Sequence, residues 1–230
     1  MKTALLTLAL AAVSFAAAAQ PQPAAATAPA PASAFDTMMA ATIAEQTAAT
    51  SPAAFQANLA KLERAAAAST AWEPRYYQAR GYLKLGFAGQ DDDQKDQLFD
   101  QAQTALDAAR KLPGADPAEV FILQAYIYQG RIMVSPMTRG MVYTGRVAEA
   151  LGQAKYLSPN NPRLYLLLGN DAFYRPAMFG GGPDKAQPLY EKAKALFATF
   201  RPANALSPTW GEKMTDAMLA KSIADLAANK

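Results

Sequence analysis

Residues 179–185 read Phe-Gly-Gly-Gly-Pro-Asp-Lys, a run of glycines followed by an acid and a base. Amides in a glycine-rich turn can cradle a phosphate while a lysine supplies charge. That chemistry needs Gly-x4-Gly-Lys-Ser/Thr entered from a buried strand. Here the glycines are adjacent, Lys185 is followed by Ala186, and the preceding residues have a helical pattern. The stretch therefore reads as a hinge. Pro176 breaks one helix, Gly180, Gly181 and Gly182 permit a sharp reversal, and Pro183 opens the next helix. Phe179 is expected to tuck back onto the hairpin as an anchor. An anion site on the amides of Gly182–Lys185 stays open as the alternative. The acidic stretch DDDQKD, Asp91–Asp96, invites a calcium reading. From Asp91, however, the sixth position is Asp96 rather than glycine and the twelfth is Ala102 rather than glutamate. It reads as a solvated helix start.

The chain has no histidine and no cysteine. Disulfides, thiolate nucleophiles, His or Cys zinc sites and histidine-dependent triads are thereby excluded. Carboxylates such as Glu119, Glu149, Glu191 and Glu212 are scattered, and no pair declares itself as acid and base. The expectation is a non-catalytic protein with no metal and no cofactor. A carboxylate-based glycan hydrolase of the cell envelope and a small-ligand binder with a pocket by Phe179 are the alternatives. Lys plus Arg is 22 against 19 acidic residues, a formal +3, and the basic residues are dispersed, so no nucleic-acid surface is read.

The elements that must position these residues are helices. Proline or a cap residue punctuates the chain at Ser51-Pro52, Glu73-Pro74, Asp116-Pro117, Asn161-Pro162 and Pro183. Apolar residues recur between them at helical spacing. A final amphipathic helix is expected over Trp210–Ala228. Val134–Gly145, VSPMTRGMVYTG, reads as a loop whose Met137, Met141, Val142 and Tyr143 pack over the hairpin, with the sixth helix starting near Thr144. A Met-rich contact surface is the alternative there.

At the front, Lys2 and the apolar run Ala4–Phe15 precede Ala17-Ala18-Ala19. These read as an export signal over residues 1–19, cleaved after Ala19. Residues 20–34 form a Pro/Ala linker, and residues 35–230 the folded domain. The expected location is periplasmic or secreted, with no membrane span after cleavage.

Three helix starts align at Pro74, Pro117 and Pro162, followed seven residues on by Gly81, Gln124 and Gly169. Partner helices carry Ala102-x3-Leu106-x2-Ala109, Val147-x3-Leu151-x2-Ala154 and Ala186-x3-Tyr190-x2-Ala193. Small residues let paired helices approach, and the larger one is expected to fill the gap to the next hairpin. The pattern resembles the tetratricopeptide repeat, with Tyr165, Leu168 and Gly169 matching its first helix and Ala186, Tyr190 and Ala193 its second. The starts lie 43 and 45 residues apart, against a family period of about 34. The resemblance implies an all-α, right-handed solenoid of about four helical hairpins plus a C-terminal capping helix. It also implies a concave groove that binds a peptide, protein or envelope component. Carried over by position, the groove residues are Arg75, Tyr82, Tyr128, Arg163, Asn170 and Phe173. Asn170 would hold a peptide backbone and Arg163 a partner carboxylate.

Overall fold

Five helix starts share one device. Ser33, Ser51, Asp91, Asp116 and Asn161 each accept a hydrogen bond from a first-turn amide. Proline stands at the first helical position after Ser51, Asp116, Ser135 and Asn161. A cap oxygen satisfies one orphan N–H, and proline removes another. The computed structural model describes residues 33–228. The expected export signal, and the linker up to residue 32, lie outside the described residues.

Among the described residues the architecture is all-α. The helices are α1 (Ala34–Ala48), α2 (Pro52–Ala68), α3 (Trp72–Ala88), α4 (Asp92–Arg110), α5 (Pro117–Val134), α6 (Pro136–Leu157), α7 (Pro162–Tyr174), α8 (Pro183–Thr199) and α9 (Glu212–Ala228). Successive helices pack as hairpins, most extensively α3 on α4, α5 on α6 and α7 on α8. The odd-numbered helices also touch one another in sequence, so α1, α3, α5, α7 and α9 share a face.

Close approach within this stack depends on glycine. The Phe99 ring of α4 is wedged between Gly86 of α3 and Gly130 of α5. A Cβ on either would come within 2.4 and 2.8 Å of that ring. Gly169 stands in the same relation to Tyr190 of α8, 2.4 Å from a would-be Cβ. Tyr190 thus fills space inside its own hairpin, not the gap to the next one as expected. Packing of this density makes each added methyl group costly.

Two boundaries differ from expectation. Residues 136–145 are helical, with Pro136 at the first position of α6 as Pro52 is in α2, though Ser135 makes no side-chain cap. The first turns of α6 project past the core. Met137 and Met141 are 88% and 91% exposed rather than packed over the hairpin. Arg139, on the same turns, pairs with Asp96 of α4. At the other end, Trp210 lies in the connection before α9. Gly211, at φ 114°, reverses the chain between them, and Trp210 is 1% exposed.

Candidate functional site

The connection between α8 and α9, residues 200–211, crosses the face shared by the odd-numbered helices. Tyr77 of α3 donates its hydroxyl to the Ser207 carbonyl at 3.0 Å. The Trp210 indole N–H donates to the Tyr76 hydroxyl at 2.8 Å. Leu206 and Trp210 are buried by this crossing. A strap from the chain itself therefore occupies the middle of that face.

Beneath the strap lies an ion pair. Arg163 of α7 donates from Nη2 to Glu119 Oε1 at 2.6 Å and from Nε to both carboxylate oxygens at 3.0 Å. Asn161 Nδ2 and the Tyr76 hydroxyl also donate to Glu119, at 2.5 and 3.1 Å. The Phe200 ring stacks over the guanidinium at 4.6 Å. Burial works against the Arg163 charge, yet Glu119 more than offsets it and holds the guanidinium above its ordinary range. Burial, reinforced by the Glu119 charge, pushes the Tyr76 phenol well up.

Above the strap the face turns aromatic. Trp210 stacks on Tyr126 at 5.8 Å with 12° between planes, and Phe87 of α3 lies 4.8 Å from Tyr126. The Tyr126 hydroxyl meets the Met214 sulfur of α9 at 3.4 Å, and burial lifts its pKa to about 12. A helix turns about 100° per residue. Met133, seven residues after Tyr126, therefore returns to the same side of α5. Tyr174, eleven after Arg163, returns to the Arg163 side of α7. Met133 and Tyr174 are exposed, and Phe87, Tyr126 and Met214 are half-buried. Phe87, Tyr126 and Met214 form an apolar step, with Met133 and Tyr174 on the corresponding sides of α5 and α7 near their C-terminal ends.

The six residues assigned to the groove do not come together. Arg163 is 1% exposed, and the carboxylate that it holds is internal. Asn170 is 8% exposed and accepts from the Tyr190 hydroxyl at 3.0 Å. Neither presents its polar group to a partner. Tyr82 donates to Glu63 of α2 at 2.6 Å. It points about 120° round α3 from Tyr76, because six residues turn the helix by about one and two-thirds turns. Tyr128 packs on Tyr143 of α6 at 5.6 Å. Phe173 lies under the Lys221 ammonium of α9, 5.3 Å from its ring centre. Arg75 is half-buried on the first turn of α3.

The glycine hinge has the geometry its residues imply. Ala177–Phe179 make one 3-10 turn, with Gly180 left-handed at φ 76° and Gly182 at φ 119°. The Gly182 amide donates to the Ala172 carbonyl at 2.8 Å. Phe179 is 65% exposed and does not anchor the hairpin. Its turn is held by these backbone bonds instead. Asp91 caps α4 through the Gln94 amide at 2.8 Å, and Lys95 binds Asp92 at the same distance. Of the four scattered glutamates, Glu119 serves Arg163, while Glu149, Glu191 and Glu212 are exposed on α6, α8 and α9.

No family model matches the chain, and no curated protein matches it. A solved structure does. The chain is similar to the HusA haemophore from Porphyromonas gingivalis, with 29% sequence identity and a TM-score of 0.73. The match covers 84% of this chain and 94% of HusA. It shows a shared helical fold, without assigning the chain to the tetratricopeptide-repeat family.

Proposed function

We propose that the protein is an exported, non-catalytic carrier of a flat apolar ligand of the porphyrin class. In this reading the ligand lies on the step formed by Phe87, Tyr126, Met133, Tyr174 and Met214. The observation that carries it is the likeness to a haemophore over nearly the full length of that structure. The step suits such a ligand, because aromatic faces and methionine sulfur pack well on a conjugated ring. With no histidine or cysteine in the chain, tyrosine and methionine are the side chains able to reach an iron atom. Tyr174 and Met133 are the exposed ones at the step. The hairpins would stack as the right-handed, tetratricopeptide-like solenoid that the repeat pattern implies, with the strap closing part of its inner curve. Residues 1–19 would direct export and residues 20–34 would serve as a spacer.

Titration with haem tests this reading. One equivalent should shift the haem absorption band and quench tryptophan fluorescence at micromolar concentrations. Replacing both Tyr174 and Met133 by alanine should weaken binding at least tenfold while helical content stays the same. An unchanged haem spectrum would refute the assignment.

A second reading has its own observation. Met137, Met141 and Val142 are exposed along the first turns of α6, and apolar side chains grouped on a surface suit a protein or peptide partner. Replacing the three with serine would abolish capture of that partner and leave haem binding intact.

A further inference from the structure

Among the described residues Arg80 is a cation without an anion. It stands on the same side of α3 as Tyr76 and Phe87 and is 6% exposed. Its Nη1 donates to the neutral Gln46 Oε1 at 2.6 Å. Its Nε is buried without a partner, and Nη1 supplies its only hydrogen bond among the described residues. Tyr77, Tyr76 and Tyr126 lie near it, with Arg163 and Lys84 as neighbouring cations. Glu119 is engaged with Arg163, Glu45 with Lys61, and Glu63 with Tyr82. One turn on, Lys84 donates to the Gln46 and Ala49 carbonyls, at 2.6 and 3.4 Å. Burial, with Arg80 adding to it, lowers the Lys84 pKa to about 8.

Packing alone does not explain this arrangement. Burying a guanidinium with unused donors is unfavourable, and a methionine or glutamine would fill similar space without the charge. A guanidinium's planar donors match a carboxylate. The location also fits a ligand. The Arg80 guanidinium lies 5.1 Å from the Trp210 ring centre, and Trp210 stacks on Tyr126. The cation therefore adjoins the aromatic step.

We propose that Arg80 receives a carboxylate carried by the ligand, with Lys84 adding positive potential beside it. The proposal rests on the porphyrin-carrier reading and narrows it to a ligand with an acidic arm, such as a porphyrin propionate. The aromatic step takes the flat ring, and Arg80, next to Trp210 behind it, takes the acid.

The test compares protoporphyrin IX with its dimethyl ester on the wild type, Arg80→Met and Arg80→Gln. The wild type should prefer the free acid at least tenfold. Both variants should bind the two forms within about twofold of each other, and Arg80→Met should melt no lower than the wild type. A purely structural arginine would instead lower the melting temperature and leave the ratio unchanged. Equal wild-type affinity for acid and ester overturns the proposal, and so does a preference that survives in a folded variant. If neither substituted protein folds, the wild-type ratio decides. If the wild type binds neither porphyrin, the carrier reading fails. Arg80 is then judged by 1-naphthoate against 1-naphthalenemethanol. Thermal stabilisation of the wild type by the acid alone, lost in Arg80→Met, sustains a carboxylate receptor, and no stabilisation refutes it.

Discussion

Replacing Glu119 by glutamine removes a single charge and barely changes shape. Arg163 then remains 1% exposed, without its anion, beside an Arg80 that has none either. Glutamine's one carbonyl oxygen can keep part of the bonding that two carboxylate oxygens now accept from Arg163, Asn161 and Tyr76. Removing one partner of a buried pair costs about 3–5 kcal/mol. The retained oxygen argues for the lower end, about 3 kcal/mol. For a domain of this size each kcal/mol moves the melting temperature by roughly 2–4 °C, so a fall of about 6–12 °C is expected. Urea unfolding followed by circular dichroism at 222 nm would measure it. The double variant Glu119→Leu/Arg163→Met should recover most of the loss, because no lone charge remains. A Glu119→Gln loss below about 1 kcal/mol, or a double variant as unstable as the single, would refute the view that this pair holds α5 and α7 under the strap.

Two further predictions concern packing and pH. Gly169→Ala places a Cβ 2.4 Å from the Tyr190 ring. It should destabilise by about 1–3 kcal/mol, whereas Gly152→Ala, which meets nothing within 4 Å, should be neutral or slightly stabilising by thermal melting. Stability should also depend on alkaline pH in two opposed steps. The Lys84 pKa is lowered from 10.5 to about 8 by burial and Arg80. Below about 8 the charge is carried in both states and its burial cost is fully felt. As pH rises from 8 towards 10.5 the folded form loses its proton first, and stability rises. Tyr77 and Tyr126 are raised from 10.0 to about 12 by burial. Above pH 10 the unfolded chain releases those protons first, so stability falls. Urea midpoints between pH 7 and 11 would show the rise and then the fall. Lys84→Met should remove the first step, and Tyr126→Phe should weaken the second.

Much of the scaffold could be read locally. Cap-proline pairs mark helix starts because their chemistry acts within one turn, and Ser51-Pro52, Asp116-Pro117 and Asn161-Pro162 all perform as expected. Ser135-Pro136 carries the same signal. It was outweighed by the glycine and methionine content of the following turns, whose residues face solvent and so lack a buried stripe. The site was far less legible. Glu119 and Arg163 are 44 positions apart, and Trp210 reaches Tyr76 across 134, distances over which no periodicity carries information. Repeat alignment places Tyr82 in a groove slot equivalent to Asn170 and Arg163 near a helix start, but it cannot show that a strap covers Arg163 and that helix rotation turns Tyr82 towards α2. The signal that could have found Arg80 is a charged residue among Tyr76, Tyr77, Ala79 and Leu83, all of them buried.

Methionine methyl resonances report most directly on where a flat ligand sits. With metal-free protoporphyrin added to protein carrying labelled methionine methyl groups, ring-current shifts should appear at Met133 and Met214, beside Tyr126 and Trp210. Met39, buried in α1, should not move. Shifts confined to Met137, Met141 and Met178, or no shifts at any methionine, would contradict a ligand held on the aromatic step.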